Sequence, residues 1–265
     1  GLQAAVVNAD DPYAPQMLAA LAPGTPVYSF STQADGAPTT VQALAVRCSR
    51  EGSEVDLRTS QGEFSLQSPL LGEFNVQNLL AALTALMAVG TPAATAVAAL
   101  AEARPVRGRM ELITGAPGKP LVCVDYAHTP DSLERVLRAL RLPGVARLIC
   151  VFGCGGDRDR SKRGPMGGIA ERGADRVIVT ADNPRSEDPA AIAAEICAGM
   201  RQPERALVEL DRTMAIRTAL AEAGPADVVL IAGKGHESTQ TGAAAVVAFD
   251  DVTVARTLLK GLANA

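Results

Sequence analysis

The spacing of apolar residues changes character once along the chain, near Arg104-Pro105. Before that point the pattern predicts a strand and then a short helix. Alternating apolar and polar residues follow, interrupted by Gly52 and Gly62, and after them the spacing becomes helical. The alternation predicts a small antiparallel ribbon. In chain order these elements fall at positions 6–10, 15–21, 39–67, 75–89 and 95–103. We expect residues 1–106 to form one domain.

From Met110 onward, short apolar runs alternate regularly with helical spacing. The runs predict strands at Leu121–Asp125, Leu148–Phe152, 176–180, 207–210 and Val228–Ala232. Helices are predicted between them, at 131–141, 166–172, 190–200 and 213–223. This alternation is typical of an α/β fold with a mostly parallel, Rossmann-like sheet and helices on both faces. We expect it to form a second domain, residues 107–265.

Polar motifs follow four of the predicted strands. Right-handed crossovers place the carboxyl ends of parallel strands at one edge of a sheet, so these motifs are expected to share a rim and form a crevice. They are Asp125-Tyr126-Ala127-His128, Gly153-Cys154-Gly155-Gly156-Asp157-Arg158-Asp159, Asp182-Asn183-Pro184-Arg185 and Gly233-Lys234-Gly235-His236-Glu237.

Composition narrows the possible functions. A hydrophobic content of 48% and a charged content of 20% indicate a folded protein, and the net charge of −4, without a basic stripe, argues against nucleic-acid binding. No apolar run is long enough for a membrane span, and two histidines make a zinc site improbable. Cys123, Cys150 and Cys197 lie in apolar runs and are predicted to be buried, reduced thiols of a cytosolic protein.

The glycine cluster at 153–156, after the predicted strand Leu148–Phe152, has two interpretations. It is either a tight turn into a helix or a place where backbone amides approach a ligand. The charges that follow, which include Arg158, favour a site because guanidinium groups bind carboxylates or phosphates. The spacing is not that of a dinucleotide-binding motif, and no Walker loop occurs in the chain.

Asp182-Asn183-Pro184-Arg185 would be an ordinary turn if it stood alone. As part of a site, Arg185 suits a carboxylate, whereas Asp182 and Asn183 can accept hydrogen bonds from an ammonium group. Glu237 adds another acceptor, and His236 is more simply structural. A rim with both signs of charge matches a zwitterionic amino acid.

Five further residues have a functional and a structural interpretation. Asp125 and His128 could contact a nucleotide or cap a helix; since Thr129 suits the capping position, we expect both to be free for function. Asn75 and Asn78 share a helix face and are either ligand contacts or residues of the helix start. Arg109 is either a hinge-packing residue or a phosphate contact.

Taken together, the motifs resemble the Mur ligase family, and in particular its members that add meso-diaminopimelate. The stretches that carry the resemblance occur in family order across nearly the whole chain. They are Val7-Asn8-Ala9-Asp10-Asp11, Gly72 through Ala82, Gly108-Arg109-Met110-Glu111, Asp125 through Pro130, Phe152 through Asp159, Asp182 through Arg185 and Ala232 through Glu237.

The resemblance implies a three-domain enzyme of which this chain is the rear of the central ATPase domain followed by the Rossmann-like carboxyl-terminal domain. The phosphate-binding loop, the Mg²⁺ ligands, a carbamylated lysine and the catalytic residues would lie in the missing half, so no metal ligand is expected in this chain. It further implies ATP contacts and diaminopimelate contacts. The implied ATP contacts are Asn75, Asn78, Arg109, Asp125 and His128. The implied diaminopimelate contacts are Arg158, Asp182, Asn183, Pro184, Arg185, Gly233 and Glu237.

The activity implied by the resemblance is ATP-dependent amide formation between meso-diaminopimelate and UDP-MurNAc-L-Ala-D-Glu through an acyl phosphate. A cytoplasmic monomer with small-molecule partners, acting in peptidoglycan synthesis, is expected, and the chain alone is expected to be inactive. Relatives that add lysine lack the arginine found at Arg185. Two alternatives are a dinucleotide-dependent oxidoreductase and a non-catalytic binding module.

Overall fold

The computed structural model describes residues 1–34, 38–115 and 118–261. The chain divides into two compact units, Gly1–Arg104 and Pro105–Ala265. Each unit has its own sheet and its own apolar core. The functional identity of the predicted domains, 1–106 and 107–265, stays a prediction.

The first unit contains a mixed five-stranded sheet in the order β1-β2-β3-β4-β5. The first three strands are parallel, and β3, β4 and β5 form antiparallel hairpins. Its strands are β1 (Ala5–Asn8), β2 (Val27–Ser31), β3 (Val41–Ser49), β4 (Gly52–Thr59) and β5 (Gly62–Ser68). Its helices are α1 (Ala14–Ala19), α2 (Glu73–Ala88) and α3 (Ala93–Ala101).

The predicted antiparallel ribbon is confirmed, with turns at the expected glycines. Gly52 and Gly62 have φ values of 137° and 123°, a backbone region that favours glycine. The prediction missed β2, whose Val27-Tyr28-Ser29-Phe30-Ser31 is short and mixed in polarity. Because β2 pairs with both β1 and β3, the ribbon is part of a larger sheet rather than a separate element.

The second unit contains a six-stranded sheet in the order β10-β9-β8-β11-β7-β6. Every pairing is parallel except that of the edge strand β6 with β7. Its strands are β6 (Glu111–Thr114), β7 (Leu121–Asp125), β8 (Leu148–Phe152), β9 (Arg176–Val179), β10 (Leu207–Val208) and β11 (Val228–Ala232), followed by the hairpin β12 (Thr239–Thr241) and β13 (Val246–Ala248). Its helices are α4 (Pro130–Ala139), α5 (Arg163–Gly173), α6 (Pro189–Cys197), α7 (Arg212–Glu222) and α8 (Asp251–Gly261), with a 3₁₀ turn at Pro203–Arg205.

The predicted α/β class and mostly parallel sheet are confirmed. All residues of β7, β8 and β11 are buried, which explains why these strands are continuous apolar runs without alternation. The prediction missed β6 and α8, and β10 is shorter than the predicted 207–210.

Burial of the cysteines differs in part from the prediction. Cys123 and Cys150 are buried as expected, and burial raises the pKa of Cys150 to about 12. Cys197, the last residue of α6, was predicted to be buried but is only partly so. Cys154, outside the predicted set, is buried. None of the helices in the described part of the chain is both long and apolar enough to span a bilayer.

Candidate functional site

The polar loops after β7, β8, β9 and β11 meet at one edge of the six-stranded sheet, as the topology predicts. Hydrogen bonds join neighbouring loops directly: Gly233 N donates to Asp125 O (3.1 Å), and Gly156 N donates to Asn183 O (2.9 Å). The Asn183 side chain then reaches the β11 loop, where its Nδ2 donates to Glu237 Oε2 (2.6 Å). The rim is therefore one connected structure.

Lys234 lies at the centre of this rim with no solvent exposure. Its Nζ donates to Asn183 Oδ1 (3.2 Å), Glu237 Oε2 (3.3 Å) and Thr239 O (2.7 Å). Asp182 Oδ1 lies 3.6 Å from the same Nζ. A buried ammonium group needs such partners, because an uncompensated charge is costly away from water.

The partners of Asn183 correct one prediction. Asn183 Oδ1 accepts hydrogen bonds from Lys234 Nζ and from the backbone N of Thr241 (2.9 Å). An amide oxygen has two lone pairs, so both are used and Asn183 cannot accept from a ligand ammonium group. Its Nδ2 has a second hydrogen beyond the one given to Glu237.

Asp182 is largely buried at this rim. The residue is 8% exposed, and its buried Oδ1 has no hydrogen-bond partner within the described residues. Burial raises the pKa of this carboxyl group, and the nearby positive charges of Arg212 and Lys234 act in the opposite direction. Glu237 Oε1 likewise has no partner among the described side chains and backbone groups, and the predicted roles of Asp182 and Glu237 as ammonium acceptors stay predictions.

Arg185 and Arg158 converge over Gly155. A Cβ built on Gly155 would lie 2.9 Å from Arg185 Nη1 and 3.7 Å from Arg158 Cγ, so a larger residue would collide with the arginine. Arg185 Nη1 donates to Gly156 O (2.8 Å), which holds the guanidinium close to the loop. The predicted carboxylate-binding residues therefore lie together, beside Asn183.

The backbone of Arg185 is in the left-handed region, with φ 52°, as is that of Asp157. Non-glycine residues rarely adopt this conformation unless the surroundings hold them there. Arg185 N donates to Thr241 O (3.0 Å), and Ser186 N and Oγ donate to the Asp157 carboxylate. The hairpin β12–β13 thus fixes the loop that carries Arg185, a contact with no evident sequence signal.

The glycine cluster serves mainly to bring two loops together. A Cβ on Gly153 would lie 2.1 Å from Thr180 O, and one on Gly156 would lie 1.9 Å from Pro184 O. Since Gly156 N is already bonded to Asn183 O, this amide is not available to a ligand. Close packing of neighbouring loops explains these two glycines.

Most charges after the cluster have partners inside the protein. Arg163 is 1% exposed and pairs with Glu187 and Glu195, and Arg160 also pairs with Glu195. Arg158 differs: its Nη1 donates only to Asp157 O in the described chain, and its side chain is exposed. Arg158 is therefore the guanidinium of this run that remains available.

The Asp125 side chain is buried and partnered within the chain rather than free as expected, and its contact with ATP stays a prediction. Its carboxylate accepts from Met110 N (2.8 Å) and Ala127 N (2.7 Å), and burial raises its pKa while these bonds lower it. It anchors Met110, which has a left-handed φ of 44°. The predicted cap is confirmed, because Thr129 and Ser132 form a capping box at the start of α4.

Arg109, Tyr126 and the two histidines form a second cluster at this edge. The Arg109 guanidinium lies 4.7 Å from the centre of the Tyr126 ring, which also contacts the rings of His128 (4.5 Å) and His236 (5.0 Å). His128 Nδ1 is hydrogen-bonded to Tyr126 O, so one of the two ring nitrogens that were expected to be free is occupied. Tyr126 was not predicted as a site residue; its place between candidate residues Asp125 and His128 was the available signal.

Asn75 and Asn78 lie on α2 of the first unit and share a face, because Asn78 Nδ2 is 3.4 Å from Asn75 Oδ1. The helix cap is Gly72, so neither asparagine is the cap residue, but Asn75 is the third helical residue and lies in the first turn, as the structural interpretation has it. Asn75 donates to Leu71 O (2.9 Å), whereas Asn78 is exposed.

Profiles of two domain families match the chain. The Mur ligase middle domain matches residues 2–86, and the Mur ligase, glutamate ligase domain matches residues 108–235. The chain belongs to the Mur ligase family. Clusters of metal-binding side chains do not occur in the described part of this Mur ligase chain.

Curated relatives of this Mur ligase chain are named UDP-N-acetylmuramoyl-L-alanyl-D-glutamate–2,6-diaminopimelate ligase. The protein from Xanthomonas campestris pv. campestris (strain 8004) is 48% identical over 96% of this chain and 51% of its own length. The protein from Synechococcus elongatus is 47% identical over 96% of this chain and 50% of its own length. The chain thus spans about half the length of the curated relatives it matches.

Solved structures agree with this fold. A structure of the same named ligase is 38% identical, has a TM-score of 0.72, and is matched over 98% of this chain and 54% of that chain. MurF from Acinetobacter baumannii, at 18% identity and a TM-score of 0.68, matches over 97% of this chain and 51% of its own, which supports the fold alone. The family assignment displaces the oxidoreductase alternative.

Proposed function

We propose that this chain is the part of a Mur ligase that binds meso-diaminopimelate and presents its amine to an activated UDP-MurNAc-L-Ala-D-Glu. The names of the similar proteins support the substrate pair. The polarity of the rim supports the class of ligand. Arg158, Arg185 and the free hydrogen of Asn183 Nδ2 form a donor side, and Glu237 Oε1 lies on the acceptor side.

The observation that carries the proposal is the position of Arg185 beside Asn183, with a guanidinium held at the rim by Gly156 O. Diaminopimelate has a carboxylate at each end, whereas lysine lacks the second one. A guanidinium opposite lysine would have no anionic partner, so Arg185 favours diaminopimelate. Loss of this contact is expected to weaken binding by about 1.5–3 kcal/mol, the range for hydrogen bonds to charged groups.

The remaining predicted contacts of this site act through the backbone. Pro184 shapes the turn between Asn183 and Arg185, and its O accepts from Glu187 N (3.0 Å). Gly233 has a φ of 111°, and a Cβ there would lie 3.3 Å from Asp182 Oδ2. We infer that Asp182, Pro184 and Gly233 hold the shape of the site, while Arg158, Asn183, Arg185 and Glu237 contact the amino acid.

For the nucleotide, we propose contacts by Arg109 and His128 of the second unit. Asn75 and Asn78 are proposed as nucleotide contacts of the first unit considered by itself. Arg109 forms no direct ion pair with a carboxylate among the described residues, although its charge acts on the Asp125 carboxyl, and this suits a phosphate contact. Asp125 supports this region indirectly through Met110 N. When bound, ATP with Mg²⁺ would supply the phosphoryl group that activates the peptide carboxylate, and the Mg²⁺ ligands are expected outside this chain.

The chain's own contribution to amide formation is positional. It would hold diaminopimelate so that one amine attacks the acyl phosphate carbon, the C–N bond forms, phosphate leaves from the tetrahedral intermediate, and the amine loses a proton. We further propose a cytoplasmic monomer. A non-catalytic binding module remains the alternative.

Isothermal titration calorimetry of the whole chain with meso-diaminopimelate and with L-lysine tests the proposal. We expect the chain to prefer diaminopimelate, and Arg185→Ala to remove most of that preference. Arg135→Ala, which changes an exposed arginine of α4, is the matched control and should leave it unchanged. Equal binding of both ligands by the unaltered chain would exclude the assignment.

A further inference from the structure

We propose that Lys234 is a positioning residue that fixes the hydrogen-bonding polarity of the amino-acid site, making Asn183 a donor and leaving one Glu237 oxygen as the acceptor. This inference goes beyond the proposed function and relies on it only for the identity of the ligand. The polarity itself can be measured without any ligand.

The first step is the orientation of the Asn183 amide. Thr241 N and Lys234 Nζ are obligatory donors, and both point at Asn183 Oδ1 (2.9 and 3.2 Å). Rotating the amide by half a turn would place the Nδ2 hydrogens against these two donors and Oδ1 against the Glu237 carboxylate. The side chain therefore has one satisfactory orientation, with Nδ2 toward Glu237 and the ligand side.

The second step is the position of Glu237. Its Oε2 is shared by Lys234 Nζ (3.3 Å) and Asn183 Nδ2 (2.6 Å), so the carboxylate is held from one side. Oε1 has no hydrogen-bond partner in the described chain and remains for an ammonium group. Without the lysine, the carboxylate would keep only the asparagine as a partner and could turn away.

The third step is the balance of charge. Asp182 and Glu237 face the single ammonium of Lys234, and the neighbouring Arg212 is neutralised by Asp251. With both carboxylates ionised, this end of the site has a net negative charge, whereas Arg158 and Arg185 make the other end positive. A zwitterionic ligand is therefore favoured in one binding orientation. Removal of the lysine would increase the repulsion between the Asp182 and Glu237 carboxylates.

The fourth step is that Lys234 joins three separate segments. Its acceptors belong to the β9 loop, to the turn after β11, and to Thr239 at the start of the hairpin. The same hairpin supplies Thr241 O to the backbone N of Arg185. One buried ammonium group thus sets the relation between the donor and acceptor sides.

The experiment begins with ¹⁵N NMR of the unaltered chain, in which Asn183→Asp identifies the Asn183 side-chain amide signals. We expect the hydrogen bonded to Glu237 to exchange with water at least about tenfold more slowly than that of exposed Asn78, an internal control. Equal exchange at both asparagines would overturn the proposal without any further variant.

Lys234→Met then removes the ammonium group with little change in side-chain length. We expect loss of the Asn183 protection and about tenfold or weaker binding of meso-diaminopimelate, since hydrogen bonds to charged groups are lost. Lys260→Met, the same change at an exposed lysine of α8, is the control. A folded Lys234→Met chain that keeps both protection and affinity would overturn the proposal.

Glu237→Gln covers the case in which Lys234→Met does not fold. The new amide oxygen must face Lys234 and Asn183, so its NH₂ group replaces the acceptor that faces the ligand. We expect retained Asn183 protection with lost diaminopimelate binding; unchanged binding would contradict the assigned polarity. If the unaltered chain binds no diaminopimelate yet shows the lysine-dependent protection, the proposed substrate fails and the positioning role stands.

Discussion

Arg212 and Asp251 form a doubly hydrogen-bonded ion pair in which neither side chain is exposed to solvent. Arg212 Nε and Nη2 donate to the two Asp251 oxygens at 2.7 and 2.8 Å. Nη2 also donates to Ala232 O (3.0 Å) and Nη1 to Ala181 O (3.3 Å). The pair therefore connects the ends of β9 and β11, directly before the loops that carry the candidate site.

Asp251→Ala is expected to lower the free energy of unfolding by about 3–5 kcal/mol, because it leaves a buried guanidinium without its counter-charge. Urea unfolding of the chain measures this. Asp131→Ala breaks an exposed i,i+4 ion pair with Arg135. This variant is expected to lower the free energy of unfolding by only about 0–1 kcal/mol. Similar losses for the two variants would show that the buried pair does not support the fold.

Gly156→Ala is expected to destabilise the chain by about 1–3 kcal/mol, since a Cβ would overlap the neighbouring backbone oxygen. That Cβ would lie 1.9 Å from Pro184 O. Diaminopimelate binding, measured by calorimetry, is expected to weaken because the Arg185 loop must move.

Gly164→Ala is the matched control for this change. Its Cβ would lie 3.6 Å from the nearest atom, at Gly199 Cα, and the residue is in helix α5. An alanine there is expected to stabilise the helix by up to about 1 kcal/mol. Equal effects of both substitutions would exclude loop contact as the reason for the glycine at 156.

The fold of the second unit could be predicted because its strands are buried on both faces. Such strands appear in the sequence as continuous apolar runs, and each is followed by polar residues where the sheet ends. The edge strand β6 has Glu111 and Thr114 at its ends and only Ile113 buried, so it gave no comparable signal. Edge elements depend on their neighbours more than on their own pattern.

The sequence predicted which residues lie at the site, but not how they are hydrogen-bonded to one another. Loop position identified Asn183, Arg185 and Glu237 as neighbours, but not which atoms were already occupied. Lys234 had no predicted role within Gly233-Lys234-Gly235-His236-Glu237, and its contacts with Asn183 and Thr239 become visible only in the folded chain. Satisfied and unsatisfied atoms are properties of tertiary contacts, so the sequence alone could not distinguish them.

Asp182→Asn is expected to raise the thermal midpoint at pH 7 by a few degrees. Burial raises the pKa of this carboxyl group, so its ionised form is less favourable in the folded than in the unfolded chain. A neutral amide of the same shape removes that penalty. Calorimetric unfolding at pH 7 measures the effect, and a lower midpoint would show that the attraction of Lys234 and Arg212 outweighs burial.

Glu187→Gln is expected to remove an acid-sensitive part of the stability. Arg163 donates to both Glu187 oxygens (2.9 and 2.8 Å), and Asp157 N donates to one of them (2.6 Å). The Arg163 hydrogen bonds lower the pKa of Glu187 from its ordinary 4.5 to about 2. These contacts also hold the glycine loop against the Arg185 loop.

A carboxyl group whose pKa is lower in the folded chain favours folding when it is ionised. Its contribution is complete above the ordinary pKa of 4.5 and is lost as the pH falls from there toward about 2. Glu187→Gln is therefore expected to have a lower thermal midpoint than the unaltered chain at pH 7, and the difference should shrink as the pH falls to about 3. Glu134→Gln, at an exposed position of α4, is the control. A difference that stays constant across this range would mean that Glu187 stabilises the loops by its shape and not by its charge.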